Sequence, residues 1–156
     1  MNKIIRKGVR TYLIEDDKVV VIKYLQEPHR NYYDIPGGKI EDNETNIEAA
    51  IREFKEETGI DIYKPKYVGN LIVECEDIIF DFDVFIVNDY KGVPNNFLHN
   101  ESMWIDIDLL LERKCFSNIQ LLSKKYRYLL EIDSNFRIKF IIGENNKIIK
   151  EIIETK

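Results

Sequence analysis

Cysteine and histidine are scarce in this chain, with two of each among 156 residues. Cys75 and Cys115 stand alone, without the close Cys/His spacing of a metal site. A zinc-type thiolate and imidazole centre is therefore excluded, and so is a disulfide-stapled secreted scaffold. Both cysteines read as small core residues in a reducing compartment. Basic charge is not in excess either: 23 Lys and Arg stand against 28 Asp and Glu, for a net charge of −5. A general nucleic-acid binder should carry a basic patch, so no nucleic-acid partner is expected. A nucleotide substrate stays compatible with this balance, because bound cations can supply positive charge locally. No apolar run approaches the roughly 20 residues of a membrane-spanning helix. Met1 to Lys7 holds too few apolar residues for a signal peptide. Repeats and low-complexity linkers are missing too. The expectation is one cytoplasmic domain over residues 1–156, without a membrane partner and long enough to build a core without staples.

What the chain does have is acid, concentrated on one helix. Residues 38–60 read GKIEDNETNIEAAIREFKEETGI. Thr45 and Glu48 form a capping box that starts a helix, and Gly59 supplies the left-handed residue that ends one. The predicted helix runs from about Asn46 to Thr58. With successive residues about 100° apart, Ile47, Ala50, Ile51 and Phe54 make an apolar stripe facing the core. Glu53, Glu56 and Glu57 fall on a different side, with Ala49 among them and Arg52 at its edge. Residues three and four apart are neighbours on a helix, so these carboxylates repel one another. Such a cost is accepted where a hard divalent cation is to be held by oxygen ligands. The plainer alternative is a solvated face with ordinary i,i+4 pairs. Against it stand Ile35-Pro36-Gly37-Gly38, a sharp turn just before the helix, and the lone Glu44 ahead of its cap.

Gly38, five residues, Glu44, seven residues, then Arg52-Glu53-Phe54-Lys55-Glu56-Glu57-Thr58-Gly59-Ile60 resembles the Nudix box at every defining position. The resemblance extends more loosely over about the first 130 residues. It implies a Nudix-type αβα sandwich and hydrolysis of a nucleoside diphosphate linked to another group, with Mg²⁺ or Mn²⁺. It makes Glu53, Glu56 and Glu57 the metal ligands, with Glu53 and Glu56 also in the catalytic set. Arg52 would orient the carboxylates, and Gly38 would let the loop pass close to the helix. Elementary chemistry agrees: attack on a phosphorus ringed by negative oxygens needs charge neutralisation and an acidified water, both supplied by a divalent ion.

Along the rest of the chain, Val9 to Ile14 and Val19 to Leu25 read as a hairpin around Glu15 to Lys18. Tyr32 to Ile35 leads into the Pro-Gly-Gly turn. Tyr67 to Cys75 and Ile78 to Val87 are two more strands, and Trp104 to Ile107 a short one. Asn118 to Ile132 reads as helix. The fold class is α/β, a mixed β-sheet with helices on both faces. Phe136 to Ile142 and Lys147 to Ile153 form a β-hairpin extension over about residues 134–156. Extending a sheet, covering the pocket and pairing with another chain as an exposed edge all suit it; a structural role in edge pairing or dimerisation is favoured, with a homodimer as one expected partner.

Substrate choice must come from outside the box. The small-molecule nucleotide partner is expected to meet Arg30 through phosphate, Tyr33 by stacking, Arg10 from an early strand, and the Gly37 and Gly38 backbone. Core packing for Tyr33 and a surface place for Arg10 weigh equally. In many relatives a glutamate ahead of a Trp assists the water; here Glu101 precedes Trp104, closer than usual. Glu74, Glu76 or a box glutamate are the alternatives for general base. Other subfamily signatures are missing, which leaves a MutT-like cleavage of a (deoxy)nucleoside triphosphate to monophosphate and pyrophosphate. ADP-ribose, a nucleotide sugar or a non-catalytic nucleotide sensor are the competing readings.

Overall fold

The computed structural model describes residues 2–131 and 133–154. Strands β1 (Ile4–Glu15) and β2 (Lys18–Tyr24) form the expected hairpin, with β1 starting five residues earlier than its β-rich run. Asp16 and Asp17, at φ 50° and 62°, make its two-residue turn. Positive φ at both central positions matches the right-handed twist of the flanking strands.

Short strands β3 (Tyr33–Asp34) and β4 (Gly37–Lys39) bracket the Pro-Gly turn. The acidic helix α1 (Asn46–Thr58) follows, with Thr45 and Glu48 capping it reciprocally and Gly59 left-handed at φ 79°. After β5 (Asp61–Tyr63) come the long strands β6 (Lys66–Cys75) and β7 (Ile78–Val87), then β8 (Asp89–Lys91) and β9 (Asn100–Asp106). A single helical turn, α2 (Ile107–Leu110), takes the place of the last residue assigned to the Trp104 strand. The chain closes with β10 (Phe136–Ile142) and β11 (Ile148–Glu154).

Among the described residues, nine strands share one mixed sheet. Its main path is β11-β10-β6-β7-β1-β2-β3, with β4 on β1 and β9 on β2. β1 pairs parallel with β7 over ten residues and antiparallel with β4 at Gly8 to Arg10. Because β4 leads into α1, this pairing seats the helix above β1. The C-terminal hairpin is therefore part of the main sheet instead of an appendage. β10 runs parallel to β6, with Phe136, Ile138 and Phe140 buried. Gly69, at a bulge in β6, lets the Phe136 ring approach to where a Cβ would stand 2.3 Å away.

Two sequence expectations change. Residues 118–131 do not form a continuous α-helix; they carry two 3₁₀ turns, Ser117–Leu122 and Arg127–Leu129, and Ile132 lies outside the described residues. These turns form the second layer, packing Ile119, Leu121, Leu122 and Leu129 on the sheet. The buried face of α1 is Ala49, Ala50, Phe54 and Thr58, while Ile47 and Ile51 are 45% and 37% exposed. Small alanines bring the helix axis close to Val9 and Phe85. Setting Ala49 at zero, Glu53 and Glu57 fall about 40° and 80° round the axis, within the sheet-facing arc and not opposite it.

Candidate active site

Gly37 and Gly38 bring the strand turn against the acidic helix. The Gly37 N–H donates to Glu57 Oε1 at 2.7 Å. A Cβ on Gly38 would lie 2.4 Å from the Glu53 carboxyl carbon, and one on Gly37 would collide with the Val9 carbonyl. Gly37 therefore excludes any side chain, and a side chain at Gly38 would have to displace the Glu53 carboxylate. Burial, more than any neighbouring charge, pushes the Glu57 carboxyl up to about 8; Arg10 and the Gly37 N–H pull it the other way.

Arg52 is the hub of the outer rim. Its guanidinium holds Glu44 with two hydrogen bonds, of 2.6 and 2.9 Å. It also donates to Glu53 at 2.8 Å, to Glu56 at 3.2 Å and to the Lys39 carbonyl at 2.9 Å. A planar guanidinium with five donors suits this work; a lysine ammonium could not span it. Glu44, a position of the box to which the sequence assigned no role of its own, thus pins Arg52.

The hydrogen bond from Arg52 lowers Glu44 to about 2, helped by the Glu41 N–H. An unfolded glutamate titrates near about 4.3. Ionised Glu44 therefore stabilises the fold above that pH, and the contribution is lost as pH falls from about 4.3 toward 2. Glu44→Gln is expected to lower Tm at pH 7, with the gap to wild type closing in strong acid. A gap independent of pH in thermal melts would contradict the ion pair.

The carboxylates of Glu53, Glu56 and Glu57 are not gathered as a coordinating cluster among the described residues. Glu53 and Glu57 flank the glycine turn, whereas Glu56 is 59% exposed and turned to Arg52. Glu53 and Glu57 each spend one oxygen on a donor, Arg52 or Gly37, and keep Oε2 without one among the described residues. Two available oxygens and a turn stripped of side chains fit an oxygen-ligated divalent cation.

On the other side of β1 lies a cavity of about 360 Å³, walled by aromatic rings. Phe116 meets Tyr24 and His29 edge-on, with centroids 5.7 and 4.9 Å apart. Phe80 and Phe82 stack at 5.7 Å on the opposite wall. Asp34, 3% exposed, organises the polar floor. It accepts from the Ile35 N–H and Asn118 Nδ2, both at 2.8 Å, and from the Tyr24 hydroxyl at 3.2 Å. Arg10 Nη2 stands 3.7 Å from it, with the guanidinium 4.4 Å over the Phe82 ring. Among the described residues, two buried atoms on this floor lack a partner, Asn118 Oδ1 and Arg10 Nε. Such orphans are costly. Burial, then the Asp34 charge, holds the Tyr24 phenol protonated. A second cavity of about 690 Å³ shares Arg10, Phe80 and Phe82 and continues past Gly38 and Lys39.

The structure brings together some of the expected residues and not others. Arg10, Gly37 and Gly38 meet at the junction of helix, turn and cavity, so Arg10 is a half-buried cleft residue and not an exposed surface one. Arg30 is exposed and pairs with Glu27 at 3.6 Å, outside the cavity lining. Tyr33 packs on the core, with Lys23 over its ring, and Tyr24, His29 and Phe116 are the rings that line the cavity there. Glu101 faces Lys23 across β2 and β9. Its neighbours Asn100 and Ser102 reach the end of α1, at the Glu57 and Thr58 carbonyls. Strand alternation sends Glu101 to the opposite face, and the structure does not bring it to the box. Glu74 is paired with Lys3 and Lys139, and Glu76 lies by Gly143 in a separate cavity. Asp34 and Asn118 were missed. They are 84 residues apart, and no periodicity links them.

Fold and site together define an α/β protein of MutT-like architecture, a carboxylate-bearing helix held over a glycine turn beside an aromatic cleft. The MutT protein of Bacillus halodurans superposes with a TM-score of 0.78 at 19% identity, covering 96% of this chain and 97% of that one. The NUDIX domain family model matches residues 5–122, and the chain belongs to the Nudix family. An uncharacterized Nudix hydrolase of Bacillus subtilis is 37% identical over 82 residues, covering 49% of this chain and 50% of that protein. The 8-oxo-dGTP diphosphatase of Proteus vulgaris is 35% identical over 61 residues, covering 39% and 54%. The chain thus spans about half the length of these curated relatives. Among the described residues, no helix is long and apolar enough to cross a membrane.

Proposed function

We propose that this protein hydrolyses a nucleoside triphosphate to monophosphate and pyrophosphate, with Mg²⁺ or Mn²⁺ held by Glu53, Glu56 and Glu57. The observation that carries this reading is the aromatic cavity with orphaned Asn118 Oδ1 and Arg10 Nε, opening beside the Gly37-Gly38 turn. A flat heterocycle fits between Phe80, Phe82 and the Phe116 cluster, since ring faces and edges attract. A base N–H directed at Asn118 Oδ1 satisfies an acceptor that is otherwise buried without a donor. The phosphates then run through the second cavity toward Gly38, where Lys39 and Lys7 offer positive charge.

When bound, the divalent ion neutralises phosphate charge and lowers the pKa of its water. The chain's own residues prepare that place. Gly37 N–H fixes one Glu57 oxygen, Arg52 fixes one oxygen each of Glu53 and Glu56, and Glu44 fixes Arg52. Arg10 sits between the base floor and Gly37, with Nη1 2.8 Å from where a Gly37 Cβ would be. It links base recognition to the carboxylates.

The reading is tested by a magnesium-dependent hydrolysis panel of nucleoside triphosphates, oxidised triphosphates, ADP-ribose and nucleotide sugars, with products resolved by chromatography. One triphosphate is expected to yield monophosphate and pyrophosphate. Asn118→Ala is expected to lower kcat/KM for that substrate by about 10- to 100-fold, the worth of a buried hydrogen bond to a specific group. Turnover confined to ADP-ribose or a sugar nucleotide would overturn the substrate assignment. Binding without turnover across the panel would make the protein a sensor.

A further inference from the structure

Strand β11 closes the large sheet on one side, and among the described residues it pairs only with β10. Its outer row of backbone N–H and C=O groups is therefore open. Four of its seven residues are isoleucine; Ile149, Ile152 and Ile153 are 67%, 42% and 38% exposed. No proline interrupts it, and an open edge carrying exposed isoleucines can recruit another strand.

We propose that the occupant is a second copy of this chain, joined antiparallel through β11 with Ile152 on the two-fold axis, so that two sheets become one. The register follows from symmetry. A two-fold axis normal to the sheet preserves its faces, and residues opposite each other share a face. One residue must then face its own copy. Lys150 or Glu151 on the axis sets like charges against each other, which is destabilising. Ile153 on the axis sets Ile152 against the second copy's Glu154. Ile149 lies at the register shift between β10 and β11 and would draw on residues outside the strand.

Ile152 on the axis is the register that uses strand residues and matches every charge on its face. Ile152 meets Ile152, and Lys150 meets the second copy's Glu154 twice, once on either side. Glu154 also stands opposite Arg137 of its own chain, so the charges alternate across the joint. On the other face Glu151 is paired with Lys125 in its own chain, leaving its stem to cover the second copy's Ile153.

Sedimentation equilibrium across micromolar concentrations tests this on the full chain. The wild type is expected to be a dimer. Ile152→Lys, which puts like charges on the axis, is expected to weaken dimerisation by about 100-fold or more while the circular dichroism spectrum stays unchanged. Lys150→Glu and Glu154→Lys are each expected to weaken it, and the double variant to restore it. A monomeric wild type, a dimer indifferent to Ile152→Lys, or a double variant that fails to recover would each overturn the proposal. None of these outcomes depends on the substrate assignment.

Discussion

Glu57→Gln is expected to reduce turnover by about 1,000-fold, because on the proposed reading it removes one anionic ligand of the cation and with it several kcal/mol of stabilisation. Divalent-ion affinity, read by isothermal titration, is expected to fall with it. The fold should survive. A glutamine oxygen still accepts from the Gly37 N–H, so the 2.7 Å contact between turn and helix is kept. The metal-free Tm should not drop, since the variant removes a carboxylate whose ionised form is opposed by burial and by the nearby Glu53 and Asp34 charges. Wild-type turnover in this variant would remove Glu57 from the ligand set. Lost turnover with a clearly lower metal-free Tm would instead make it a structural residue.

The contrast between α1 and the cavity explains what could be read in advance. α1 was legible to its last residue because local chemistry sets both ends: Thr45 and Glu48 cap one, Gly59 the other. Strands β6 and β7 were legible because β-branched and aromatic residues fill them up to a tight Glu76-Asp77 turn. The rotation of α1 was not, since Ile47 and Ile51 are more apolar than Ala49 and Ala50. Close approach to β1 and β4 selects small residues over apolar ones, and it is a tertiary constraint. The 3₁₀ turns after Ser117 failed for a similar reason. Their leucines are spaced well enough for a helix, but Phe116 and Asn118 are drawn toward Tyr33 and Asp34, which breaks the α-helical path. In the site itself, residues within the box were visible by spacing. Asp34 and Asn118 meet only through the fold, and so does the link from Arg10 to the glycine turn.

Glu44 was visible as a position of the box, and its meaning depends on Arg52. Removing that guanidinium gives the second large effect. Arg52→Ala leaves Glu44, Glu53 and Glu56 without their shared cation and the Lys39 carbonyl without its donor. Hydrogen bonds to charged groups contribute about 1.5–3 kcal/mol each at most. Here they are partly exposed, so a loss near 2 kcal/mol is expected, roughly 4–8 °C in Tm for a chain of this size. The kinetic effect should fall on kcat, by about 10- to 100-fold, as when a residue orienting metal ligands is lost. KM for the nucleotide should move little, because Arg52 lies outside the lining of both cavities beside β1. Arg52→Lys separates orientation from charge. It keeps the positive charge but cannot hold both Glu44 oxygens and the Lys39 carbonyl in one plane, so kcat should recover only in part. A loss confined to KM would place Arg52 on the substrate's phosphates. Full recovery by lysine would mean that charge alone matters, and that the fork through Glu44 is incidental to catalysis.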